Sequence, residues 1–193
     1  MNKRSGIESR RKIMKAAKDV FSRHGYGETN IREISKKAGM SVGGIYLYFK
    51  SKEELYKNLI NEGRREIAAM TETTIEQSRS ATEALSNFLK LHLDYAVKHR
   101  EFILLHIREH GFAFGLAGKR QFFQKQRRLI ESVIEEGIRS SEFRKCNVRE
   151  TANIIHGALR GVILSMALDD IAVRPEALNE LVFQGLLRPD KKI

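Results

Sequence analysis

The chain has 193 residues, 41% of them apolar, with two prolines and one cysteine. That excludes a disordered or collagen-like polymer and allows one large domain or a small one joined to a larger one. Thirty-five Lys and Arg against 24 Asp and Glu give a net charge of +11, and residues 1–55 hold 13 of the basic and only 6 of the acidic side chains. A basic N-terminal quarter points to a polyanion, with nucleic acid first. The lone Cys146 rules out an intrachain disulfide and most cysteine-based metal sites, and suggests a reducing compartment. No apolar run approaches the roughly 18 residues of a membrane span, and the N-terminus lacks a hydrophobic signal core, so a soluble cytoplasmic protein is expected. Val, Ile and Thr never alternate for long, whereas i, i+3, i+4 spacing recurs; the fold class is all-α.

The first helix carries Ile13, Ala17, Val20 and Phe21 on one face and Arg10, Arg11, Lys15 and Lys18 on the others, with Gly25 as its C-terminal cap. Asn30 opens a second helix, with Glu33 placed to complete a capping box, Ile31, Ile34 and Ala38 as its buried stripe, and Gly39 at its end. Only Met40 and Ser41 separate it from a third, capped by Ser41 and anchored by Ile45 and Phe49. Two short helices across a tight glycine-containing turn make a helix-turn-helix, with the third helix as the candidate recognition helix. Gly43 and Gly44 are poor helix formers, but they thin the leading end so that backbone can approach DNA. Tyr46 and Tyr48 suit the flanks, where a ring packs on sugar and a hydroxyl bonds phosphate.

The runs Thr29-Asn30-Ile31-Arg32-Glu33-Ile34, Ala38-Gly39-Met40-Ser41 and Ile45-Tyr46-Leu47-Tyr48-Phe49-Lys50-Ser51-Lys52-Glu53-Glu54-Leu55, with Gly43 between the last two, resemble the DNA-binding signature of TetR-family transcriptional regulators. The resemblance covers roughly residues 8–60 and is one of architecture alone beyond them. It implies about nine helices: a DNA-binding domain over residues 1–52 and a larger effector-binding and dimerisation domain over residues 53–193. It also implies a homodimer on a palindromic operator. Base-edge contacts are implied for Val42, Gly43 and Tyr46, with Arg32 reaching in from the second helix; phosphate contacts are implied for Thr29, Gly44, Tyr48 and Lys52. Gly44 and Leu47 depart from the polar residues common in relatives. Direct readout is therefore expected to be sparse, with DNA shape carrying part of the specificity.

Ser51 with Glu54 opens a fourth helix, whose inner stripe runs through Leu55, Leu59, Ile67, Met70 and Thr74. In the family this helix joins reading head to body. Ser80 with Glu83 opens a fifth, carrying Leu85, Phe88, Leu89, His92 and Ala96. Five of the ten phenylalanines then fall at Phe102, Phe112, Phe114, Phe122 and Phe123, around Gly111, Gly115 and Gly118. Such a segment can line a lipophilic cavity or fill an ordinary core. Residues 151–168 are apolar nearly all round, so burial on more than one side is expected; Asn153, His156 and Arg160 argue against a membrane span there. Pro175 starts a last helix with Leu178, Leu181, Val182, Leu186 and Leu187. The two C-terminal helices are the expected dimer interface, with intrachain core as the alternative.

The candidate effector residues are Tyr95, His106, Phe122, Phe123, His156 and Arg160, for a small lipophilic or acyl effector. His156 and Arg160, polar in an apolar helix, need a partner, either an internal acid such as Glu109 or a ligand. His106-Ile107-Arg108-Glu109-His110 matches the H-x-x-E-H pattern of a zinc peptidase class, and His92, His99 and His106 recur every seventh residue. The charged His99-Arg100-Glu101 stretch is expected to interrupt that second series. The expected function is a ligand-responsive transcriptional repressor, with no enzymatic activity, cofactor or metal. The alternatives are a DNA-binding regulator without an inducer and a metal-dependent hydrolase.

Overall fold

A computed structural model of the protein describes residues 3–108, 116–169 and 171–187, and the side chains within them except at positions 3, 4, 105–108, 116 and 117. Among the described residues there are nine helices and no strand: α1 (Lys3–Glu28), α2 (Ile31–Ala38), α3 (Val42–Tyr46), α4 (Lys52–Glu76), α5 (Ala81–Lys98), α6 (Arg100–Arg108), α7 (Leu116–Arg139), α8 (Val148–Leu168) and α9 (Pro175–Leu186). They gather into two compact units. One comprises the chain up to Arg64 and a stretch opening at Glu101; the other comprises Arg65–Arg100 and the chain from Ala117.

The first unit follows its punctuation closely. α1 breaks at Gly25, whose φ of 75° and ψ of 171° suit glycine alone. α2 ends on Gly39 in the left-handed region at φ 66°. Asn30 caps α2 by accepting from the Arg32 N–H at 2.9 Å, but Glu33 does not reach back. Its carboxylate instead meets His24 Nε2 at 2.9 Å, so the expected capping box is only half present. Ile13, Ala17, Val20, Phe21, Ile31, Ile34, Ile45, Phe49 and Leu55 form the core of this unit.

In the second unit, Ser80 caps α5 by accepting from the Glu83 N–H at 3.0 Å, while Glu83 accepts from the Arg79 N–H at 2.7 Å. Leu85, Phe88 and Leu89 of α5 pack with Ile130 and Ile134 of α7, Ile155 and Leu159 of α8, and Leu178 and Phe183 of α9. The α5–α6 break falls at His99, as the charge pattern implies. At the end of α7, a methyl group on Gly137 would land on the Phe143 ring, so close approach excludes any side chain there.

Three stripes differ from expectation. On α4, Met70 is exposed and Thr71 takes the inner position, a full helical turn beyond the buried Ile67; its hydroxyl donates to the Ile67 carbonyl at 2.7 Å. On α9, Leu181 is 69% exposed and Phe183 faces the core instead. On α8, Ala152, Ile155, His156, Leu159, Met166 and Ala167 are buried, whereas Ile154 is 71% exposed and Leu164 and Leu168 are also exposed. This chain therefore covers only one side of α8. The 21-residue α8 is also long and apolar enough to cross a membrane by length and composition, contrary to the expectation that no such run occurs.

Glu142 supports the second unit from outside its core. Its carboxylate accepts from the N–H groups of Ala81 at 3.2 Å and Thr82 at 2.9 Å, and from the Ser140 hydroxyl at 2.9 Å. Burial raises its pKa, but these donors outweigh burial and hold the carboxyl at about 2, against an ordinary 4.5. Because the folded pKa lies below the unfolded one, this contribution is full above about pH 5 and is lost as pH falls through about 2. Glu142→Gln is expected to lower stability by about 1 kcal/mol at neutral pH and to flatten the acid limb of a stability–pH profile, read by urea unfolding.

Candidate functional site

The exposed surface of the helix-turn-helix is built by short caps. Ser41 accepts from the Gly44 N–H at 3.0 Å and starts α3; Ile45 and Phe49 turn inward, each 1% exposed. Tyr46 at 48% and Leu47 at 78% are left facing outward, with Arg32 exposed on α2. Tyr48 is half-buried against the core. The two glycines have different reasons. Nothing in this chain lies within 4 Å of a methyl placed on Gly43, so its smallness serves no internal packing. A methyl on Gly44 would sit 3.2 Å from the Ser41 hydroxyl oxygen and crowd the cap.

Three residues given DNA contacts by the resemblance are engaged within the chain. Thr29 is 3% exposed and its hydroxyl donates to the Gly25 carbonyl at 2.5 Å. Val42 is half-buried against the core. Lys52, in the first turn of α4, donates through Nζ to the carbonyls of Tyr26 at 2.7 Å, Gly27 at 3.2 Å and Thr29 at 3.0 Å, and lies 4.5 Å from the centre of the Tyr26 ring. An ammonium group has three donors, and all three are used. Thr29 and Lys52 thus tie together the end of α1 through their polar groups. Arg32, Gly43, Tyr46 and Leu47 remain as the outward set, with Val42 and Tyr48 half-buried beside them.

The second unit holds a polar patch at one end of its apolar core. Phe123 of α7 stands edge-on to the buried His156 of α8 at 5.5 Å between centroids, and the Arg160 guanidinium lies 4.1 Å from the Phe123 centroid. Phe122 stands 5.4 Å from Phe123. Burial first, then the charges of Arg160 and Arg127, push the His156 pKa down to about 4. His92 of α5 joins this group through its influence on His156 and packs on Phe88 at 4.3 Å. Burial holds its pKa at about 4 as well, only partly offset by the Phe88 carbonyl and Gln126.

Gln126 of α7 is 1% exposed and lies beside His92, whose pKa it raises as a side-chain hydrogen-bond partner, although neither group meets strict hydrogen-bond geometry among the described residues. Of the sequence-predicted effector residues, the structure brings Phe122, Phe123, His156 and Arg160 together and adds His92, Gln126 and Arg127. Tyr95 is engaged elsewhere: its hydroxyl donates to Glu66 at 3.3 Å and its ring lies 4.2 Å from His99. Burial, then Glu66, raises its pKa well above the ordinary range.

The His106 side chain, Glu109, Gly111, Phe112, Phe114, Gly115 and the H-x-x-E-H match as a unit lie outside the described residues. Phe102 packs against the first unit's core and meets Lys18. Among the described residues no group of three or more His, Cys, Asp or Glu is placed to hold a metal. A cleft of about 470 Å³ is lined by Arg127, Arg128 and Arg149 with Gln124, Glu131, Glu135, Val148 and Asn153.

Residues 13–59 match the family model described as bacterial regulatory proteins, tetR family. The chain is 26% identical over 178 residues to the fatty acid metabolism regulator protein of Bacillus subtilis, covering 91% of this chain and 92% of that protein. Its fold is similar to the transcriptional regulator FadR from Bacillus subtilis in complex with stearoyl-CoA, with a TM-score of 0.72, 26% identity, and coverage of 90% of this chain and 95% of that one. It is also similar in fold to the fatty acid degradation regulator FadR from Bacillus halodurans, with a TM-score of 0.74 at 24% identity, over 91% and 93% of the two chains.

Removing Lys52 separates its two assignments. A lysine that touches phosphate contributes about 1 to the slope of log affinity against log salt. Lys52→Met is expected to leave that slope unchanged while lowering the thermal stability of the N-terminal unit. A slope flatter by about 1 per protomer would return Lys52 to the phosphate backbone.

Proposed function

Because the chain belongs to the TetR family of bacterial regulatory proteins, we propose that it is a transcriptional repressor whose release from DNA is triggered by a long-chain acyl thioester. The outward α3 surface reads the operator: Tyr46 and Arg32 face base edges, Gly43 admits the backbone, and Tyr48 meets phosphate. Two protomers pair through the apolar residues left exposed on α8 and α9, with Ile154, Leu164, Leu168 and Leu181 at the contact. Exposed large apolar residues gathered on two helices suit an interaction face. The exposed Gly157 and Gly161 have open space above them, which permits a partner helix to come close. A symmetric pair presents its recognition helices to successive major grooves, about 34–36 Å apart on a palindromic site.

The effector reading rests on one observation above others: an apolar helical core that carries the buried polar side chains Gln126 and His156, with the charges of Arg160 and Arg127 acting on His156. The Bacillus subtilis relative in complex with stearoyl-CoA supports the same class of ligand. Such an effector acts only through a difference in affinity for the DNA-bound and released forms, since equal affinity shifts nothing.

The test is titration of a bound operator fragment with stearoyl-CoA and shorter acyl-CoAs. Release at a saturable concentration is expected. DNA binding indifferent to every chain length would contradict the effector half and leave a regulator without an inducer.

A further inference from the structure

The third helix is poor in the groups that read bases. From Val42 to Tyr46, α3 carries one polar side-chain group, the Tyr46 hydroxyl. Ser41 before it is engaged as the cap, accepting from the Gly44 N–H at 3.0 Å. No Arg, Lys, Asn, Gln, Asp or Glu stands between Ser41 and Phe49. The side chains that tell guanine, adenine and cytosine apart by paired donors and acceptors are therefore missing from this element.

What α3 offers instead is apolar. Leu47, its C-terminal cap, is 78% exposed and joins neither hydrophobic core among the described residues. Its N–H donates to the Gly43 carbonyl at 3.1 Å, so the two residues stand one turn apart on the same side. Gly43 is exposed, with nothing within 4 Å of a methyl placed on it. That side is thus bare backbone followed by a projecting isobutyl group. A lone leucine on an ordinary surface needs no account, because much of any protein surface is apolar. This one sits beside Tyr46 on the side that Gly43 leaves open. Among base edges in the major groove, only thymine presents an apolar group, its 5-methyl. The polar edges of the other bases gain nothing from an isobutyl group and lose water to it.

We infer that Leu47 is a specificity-determining residue: its side-chain methyls select thymine by contact with the 5-methyl group, once in each half-site. This rests on the operator-reading role proposed above. Arg32, exposed on α2, supplies the charged hydrogen bonds that α3 lacks.

Deoxyuridine keeps every hydrogen-bonding group of thymine and lacks only the methyl. An inverted repeat selected from random duplex by the wild-type protein is remade with deoxyuridine at one symmetric pair of thymines at a time, and affinity is measured at fixed salt. Substitution at one such pair should weaken wild-type binding about tenfold, the product of about threefold in each half-site. Leu47→Ala should bind the unmodified repeat about tenfold more weakly, keep its Tm, and lose nothing more at that pair. Leu47→Met, which keeps an apolar end, should remain sensitive to it. Wild-type indifference to deoxyuridine at every pair would overturn the assignment. Equal losses for wild type and Leu47→Ala at the same pair would also overturn it, because another side chain would then meet the methyl. Either result leaves the operator reading intact. Failure of the wild-type protein to select any inverted repeat would instead remove that reading and the role of Leu47 with it.

Discussion

Three carbonyl oxygens beyond the Gly25 break of α1 converge on one ammonium group, and the N-terminal unit depends on that meeting. The Lys52 Nζ is 2.7 Å from the Tyr26 oxygen, 3.2 Å from that of Gly27 and 3.0 Å from that of Thr29. A helix end leaves carbonyls without intrahelical partners, and α1 breaks at Gly25 just before these. Lys52 supplies the donors, and being on α4 it ties the start of that helix to the turn leading into α2. Tyr26, under the same ammonium group, packs 5.0 Å from Tyr56, which stands edge-on to Phe21 at 5.2 Å. The helix-turn-helix is thus held by a charge on carbonyls beneath an aromatic trio. Its outer surface is left to Arg32, Gly43, Tyr46 and Leu47.

The second unit combines strict packing with one loose end. Around Gly137 and Phe143 there is no room for a methyl group, and Glu142 closes the α5 terminus. At Gln126 and His156 the same core carries buried polar side chains. That contrast gives the patch its functional weight. α4 contributes Leu55 and Tyr56 to the first core and Ile75 to the edge of the second, so one helix takes part in both.

What could be read from sequence was local. Asn30, Ser41, Ser51 and Ser80 accept from N–H groups two or three residues ahead, so their capping roles follow from neighbours in the chain. Ile45 and Phe49 were legible as an inward pair because helical periodicity places them together. Lys52 was not, because its partners lie more than twenty residues earlier and meet it only once the first unit has closed. Gln126 hides in the polar run Gln124-Lys125-Gln126-Arg127-Arg128, where only the packing of α7 tells the buried glutamine from its exposed neighbours. Met70 and Thr71 show the limit of the stripe argument: a polar hydroxyl can take the inward place when it bonds back to its own helix. On α8, burial on several sides was expected from composition, but one chain has too little surface to supply it.

The claim on which the account turns is that the α3 surface reads duplex DNA as a symmetric pair. Selection of source-genome fragments by the purified protein at physiological salt tests it most directly. Enriched fragments are expected to share an inverted repeat, with half-sites centred about one helical turn apart or a multiple of it, each fragment holding an even number of protomers. Fragments with no common inverted repeat, or bound no better than random duplex, would contradict it.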